Sequence, residues 1–166
     1  MVLLSAAGAP RRCGHALVYN PYMRLLLFLL LAVGSQLQTP PQQVKLLHVE
    51  ITGLRNDKGQ VLCSLFSSAR GFPKNSANVA AQIRSDISRG HAVCDFSGLD
   101  SGTYAISVFH DENSNGKLDT NFIGMPREGV GASNNAKGHF GPPKLDDAAI
   151  RYSSRRLDLT ITIVYL

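Results

Sequence analysis

From Leu157 to Tyr165 the chain alternates residue by residue. Leu157, Leu159, Ile161, Ile163 and Tyr165 are set against Asp158, Thr160 and Thr162. A period of two belongs to an extended strand with one buried and one wet face. The same signal recurs upstream. In Val44–Thr52, Leu47, Val49 and Ile51 oppose His48, Glu50 and Thr52. Further runs cover Gln60–Ser67, Ala92–Ser97 and Thr103–His110, where Tyr104, Ile106 and Val108 share a face that ends in His110. Ala148–Ser153 is a further candidate strand. Turn chemistry separates these runs at Gly53–Gly59 and Gly98–Gly102. The first of these turns predicts a hairpin between the first two strands. Val79–Ser88 fits either a short helix or an edge strand, and Phe122–Pro143 is rich in glycine and proline and reads as one long loop. Long ordered loops are usually functional. The expected fold is all-β: a single antiparallel β-sandwich of about seven strands, immunoglobulin-like or prealbumin-like, with a long Gly/Pro-rich loop.

The first 35 residues read as an address. Leu25–Val33 (LLLFLLLAV) is an unbroken apolar run, preceded by Arg24 and followed by Gly34 and Ser35. A basic start, an apolar core of this length and a small-residue exit describe a secretory signal peptide. Spanning a bilayer takes roughly 20 apolar residues, so an uncleaved anchor is the weaker alternative and the one expected membrane contact. Cleavage is expected after Gly34 or Ser35. Met23-Arg24 would itself be a normal start, so residues 1–22 are consistent with an over-extended gene start. The organisation is then 1–35 signal, 36–43 linker and 44–166 β-domain, with a secreted or periplasmic destination.

Charge narrows the partners. The formal net charge is +5, but Arg11, Arg12 and Arg24 belong to the leader; without them 14 basic residues face 12 acidic ones, leaving +2. No basic cluster with interleaved aromatics appears, so nucleic acid is not an expected partner. Two cysteines, Cys63 and Cys94, follow the leader. In an oxidising compartment such a pair predicts a disulfide, closing a loop worth roughly 3–4 kcal/mol in the chain-entropy account. Each can point inward on its strand. Two buried thiols are the alternative.

Chemistry concentrates in His110–Asn121, HDENSNGKLDTN. Asp111, Asn113 and Asn115 stand two apart, Gly116 follows, and an acid returns at Asp119. D-x-N-x-N-G-x-x-D opens an oxygen-rich Ca²⁺ loop, in which Lys117 contributes a backbone carbonyl. An EF-hand is excluded, because position twelve is Phe122 rather than Glu and a strand precedes the loop. A strand-loop Ca²⁺ site remains, with Glu128 and Glu112 as the nearest spare carboxylates and an affinity of roughly 10⁻⁴–10⁻³ M. The same residues also suit a metal-free loop, since Asp and Asn side chains hydrogen-bond the backbone two residues on.

Other candidates carry less. His110, at a strand end, more often braces a neighbouring loop than acts as a base. His48 with Glu50 lies on a wet strand face, and His91 and His139 lack zinc-ligand spacing. Ser133 lacks the flanking glycines of a nucleophile elbow.

Three stretches together resemble a known family: F-x-G-L-x-x-G-x-Y-A from Phe96 to Ala105, the run His110–Asn135, and Gly141-Pro142-Pro143. The chain is similar, over about Leu46 to Tyr165, to the bacterial secreted proteins grouped as domain-of-unknown-function family 2141. The family's H-D-x-N-x-N-G-x-x-D falls on His110, Asp111, Asn113, Asn115, Gly116 and Asp119. Its G-x-P-x-E-G falls on Gly124, Pro126, Glu128 and Gly129. The resemblance implies export and a compact sandwich that looks like prealbumin-type or carboxypeptidase-regulatory-type modules; it implies no activity. The expected role is a non-enzymatic binding or structural module whose loop meets an envelope or extracellular protein or a surface polymer. The alternative is a metal-assisted hydrolase centred on His110, Asp111 and Glu128.

Overall fold

The computed structural model describes residues 44–74, 78–138 and 141–166. The segments expected to be leader (1–35) and linker (36–43), and His139, lie outside the described residues.

Among the described residues the architecture is all-β: eight strands in two sheets, with almost no helix. The elements are β1 (Leu46–Thr52), β2 (Gln60–Phe66), β3 (Ala81–Asp86), β4 (Ala92–Ser97), β5 (Gly102–Asp111), β6 (Val130–Ala132), a single-turn helix α1 (Leu145–Ala148), β7 (Ile150–Tyr152) and β8 (Leu157–Thr162). One sheet has the order β4-β1-β8; the other runs β3-β2-β5-β6, with β7 also pairing with β5.

Three expectations are corrected here. The first two strands are not a hairpin, because β1 belongs to one sheet and β2 to the other. The turn residues between them serve a crossing instead: the Asp57 carboxylate accepts the backbone N–H groups of Arg89 (2.9 Å) and Gly90 (2.7 Å). The pairing is not wholly antiparallel, since β1 and β8 run parallel, with Val49 opposite Leu159. Alternation specifies which face is buried and says nothing of strand direction. Finally, the long loop holds a strand. The glycines that made 129–131 look irregular are there for close approach. A Cβ on Gly129 would sit 2.6 Å from the Tyr165 ring, and one on Gly131 would sit 2.8 Å from Cγ2 of Ile161. Glycine in a strand often marks such an approach of a neighbouring element. The ambiguous Val79–Ser88 segment resolves as strand β3, paired with β2 alone within its sheet.

The inward faces of the two sheets share one core. Leu47, Val49 and Ile51 of β1, Cys94 and Phe96 of β4 and Ile161 of β8 meet Val61, Cys63 and Leu65 of β2 and Ile106 and Val108 of β5. Cys63 and Cys94 lie at disulfide distance within it, 6.5 Å apart at Cα, tying one sheet to the other. Behind β5, Ala105, Ala132 and Ala148 form a second small cluster. Ser133 serves that junction: its hydroxyl accepts the Ile106 N–H (2.9 Å) and donates to the Ala148 carbonyl, fully buried. Its hydroxyl is therefore a structural tie.

Candidate functional site

Strand β5 delivers the motif. Period two carries the inward face from Ile106 and Val108 to His110, so the imidazole enters the end of the core and is fully buried. Its Nε2 lies 2.7 Å from the Lys58 carbonyl oxygen, which can only accept, so Nε2 carries the proton. Nδ1 then accepts the Tyr165 hydroxyl at 2.7 Å, and that hydroxyl accepts the Arg55 backbone N–H at 3.1 Å. Burial pushes the Tyr165 phenol upward, keeping it a donor. Both ring nitrogens are thus engaged within the fold.

Asp111, also fully buried, turns the chain. Its Oδ1 accepts the Asn115 N–H at 3.0 Å; its Oδ2 accepts the Gly116 N–H at 2.8 Å and the Gln60 side-chain amide at 2.9 Å. Gly116 takes a left-handed φ of 74°, which lets two successive N–H groups face one carboxylate. Glu128, 4% exposed, closes the loop from the other side: Oε1 accepts the Glu112 N–H and Oε2 the Asp119 N–H, each at 3.0 Å. Charge-assisted bonds to backbone N–H are among the stronger hydrogen bonds a carboxylate makes.

The remaining predicted ligands lie on the rim. Asn113 and Asn115 accept the N–H groups of Asn115 (3.1 Å) and Lys117 (2.7 Å) through their side-chain oxygens. Both donate their amides to Asp119, at 2.7 and 3.2 Å. Asn113, Asn115 and Asp119 are therefore gathered together, whereas Asp111 and Glu128 face backbone donors. Among the described residues, no three His, Cys, Asp or Glu side chains gather in metal-holding geometry.

A depression of about 480 Å³ opens over this loop, lined by Arg55, Asn56, Lys58, Glu112, Asn113, Asp119, Arg127 and Glu128. Three of these come from the 53–59 crossing, which sequence reasoning had treated only as a turn. Arg55 stacks 4.4 Å above the Tyr165 ring and grips Glu112 through two nitrogens, the Nε bond measuring 2.7 Å. Asn56 adds an amide to Glu112 at 2.8 Å. Nothing local to Arg55 or Tyr165 announces this pairing; they are 110 residues apart in sequence.

The Arg55 hydrogen bonds hold the Glu112 carboxyl down to about 2 from an ordinary 4.5, with Asn56 assisting and burial opposing. A depressed acid stabilises the fold above its unfolded pKa, and that contribution fades as pH falls through the folded value. Between pH 4.5 and about 2, Glu112→Gln is therefore expected to lose less stability than the native chain. Urea midpoints at pH 6, 4 and 3 check this; parallel curves would refute it.

The family described as "Uncharacterized protein conserved in bacteria (DUF2141)" matches residues 49–160, more than half of the chain. No curated protein and no solved structure matches the chain.

Proposed function

The chain belongs to this uncharacterised bacterial family, and we propose that it is an exported, non-enzymatic β-sandwich module of prealbumin type whose loop end, 111–129, is a preformed binding platform. One observation carries the reading. His110, Asp111 and Glu128 are the groups a hydrolase would need, and all three are buried and engaged in hydrogen bonds of their own fold. A general base must instead reach the proton it removes. What this end offers to a partner is a rigid rim around a polar depression. Its partners are then an envelope protein or a surface polymer. Amide shift mapping with purified cell-wall polymer tests this, with shifts expected to gather within 112–127. Shifts gathered on the outer face of β4-β1-β8 would overturn the placement.

A weak Ca²⁺ site is the second reading, favoured by the convergence of Asn113, Asn115 and Asp119. For Kd near 10⁻³ M, about 10 mM Ca²⁺ stabilises by about 1.4 kcal/mol. That is roughly 3–6 °C in a domain of this size. The rise over EDTA is expected to vanish in Asp119→Ala, and equal melts of the native chain with and without Ca²⁺ would end this reading.

A further inference from the structure

Beyond the platform the loop projects an apolar tip. Phe122 is 99% exposed, Ile123 68% and Met125 43%, on a turn of consecutive residues. Exposed apolar side chains scattered singly need no explanation, but three adjacent ones on a projecting turn do.

The turn is built to hold them out. Residues 119–127 form a small hairpin: the Arg127 N–H meets the Asp119 carbonyl at 2.9 Å, Thr120 bridges Pro126, and the Asn121 N–H meets the Met125 carbonyl at 2.8 Å. At the tip the Asn121 side-chain oxygen accepts the N–H groups of Ile123 (3.1 Å) and Met125 (2.9 Å), while its carbonyl accepts that of Gly124 (3.0 Å). Four of the tip's N–H groups, those of Asn121, Ile123, Gly124 and Met125, are therefore satisfied from within. Each such bond lowers the cost of approaching a medium with little water, where an unpaired N–H is costly.

Charge chooses among occupants. Lys117 and Arg127 are exposed and flank the base of the hairpin, and Lys58 shares the depression with Arg127. Among the described residues no carboxylate lies within ion-pair distance of these three; the ion pair with a cationic side chain at this end is Arg55–Glu112. The facing acids are Asp119, held by two amides, and the buried Asp111 and Glu128, held by N–H groups. An apolar point with exposed cations at its base complements an anionic bilayer surface.

We propose that the 121–126 tip inserts into the headgroup boundary of an anionic membrane, with Lys117, Arg127 and Lys58 meeting lipid phosphates. This extends the loop-end reading, and the two fail separately: a tip that ignores lipid leaves the polymer shifts at 112–127 untouched.

The chain contains no tryptophan, so Phe122→Trp in the full chain makes a reporter of the tip alone, whatever the leader does. Its emission is expected to shift to the blue, and to be quenched by brominated lipid, on equimolar phosphatidylcholine–phosphatidylglycerol vesicles well beyond phosphatidylcholine alone. Val93→Trp, on the outer face of β4, is expected to stay unchanged. Adding Lys117→Glu and Arg127→Glu to the reporter is expected to weaken the response by about tenfold or more. An unshifted Phe122→Trp on anionic vesicles would overturn the proposal. So would a shift that appears without lipid as protein concentration rises, which would make the occupant a second copy.

Discussion

Gly59→Ala is expected to cost about 3 kcal/mol or more, through two terms that act together. Gly59 has a φ of 69°, where a side chain adds about 1–2 kcal/mol of strain. Its Cβ would also land on the Asp111 carbonyl oxygen and 2.8 Å from Cα of Glu112, backbone that has no rotamer by which to yield. Overpacking of this kind adds about 1–3 kcal/mol. Gly98 supplies the control: its φ is 71°, but nothing lies within 4 Å of its Cβ position. Urea denaturation of the two variants separates strain from collision. Equal losses would mean that the crossing gives way and does not seat the loop. The site itself is at stake, because Gly59 abuts the point where β5 becomes loop and the next residue, Gln60, holds Asp111.

Asp111→Ala is expected to destabilise by about 2–4 kcal/mol even in EDTA. Its carboxylate receives three donors, the Asn115 and Gly116 backbone N–H groups and the Gln60 amide. Removing an acceptor leaves buried donors unpaired at about 1–3 kcal/mol each, with solvent entering to relieve part of the cost. Asp111→Asn retains one accepting oxygen and turns an NH₂ toward the other N–H, so an intermediate loss is expected. Hydrogen exchange locates the effect: protection of the Asn115 and Gly116 amides should fall before that of β5. A variant that melts like the native chain in EDTA, differing only when Ca²⁺ is added, would mean the carboxylate serves a cation alone.

Much of this was legible because strands with one buried face write their period into the sequence. Leu47, Val49 and Ile51, and Ile106, Val108 and His110, are inward as alternation requires. The inward cysteines could be paired by the same logic. What alternation leaves out is which strand lies beside which, so the hairpin expectation failed and the parallel β1–β8 pair was not foreseen. Gly129 and Gly131 misled because glycine signals both a turn and close packing, and only the neighbour, here Ile161, Ile163 and Tyr165, decides between them. At the loop, spacing singled out Asp111, Asn113, Asn115 and Asp119, with Glu128 as a spare carboxylate, and of these Asn113, Asn115 and Asp119 gather on the rim. It could not say that Asp111 and Glu128 point toward backbone N–H groups, nor that Arg55, Asn56 and Tyr165 complete the surroundings from far along the chain.

The parallel ladder between β1 and β8 has a consequence in time. Among the described residues β1 is the first strand and β8 the last, and β1 lies between β4 and β8. Until β8 arrives, one side of β1 is a bare row of peptide groups and Ile161 is missing from the core. Contacts this distant in sequence form late and slowly. Synthesis from the N-terminus therefore leaves an unfinished sheet until Leu157–Thr162 has emerged, and the β1 edge stays open to other pairing for that interval.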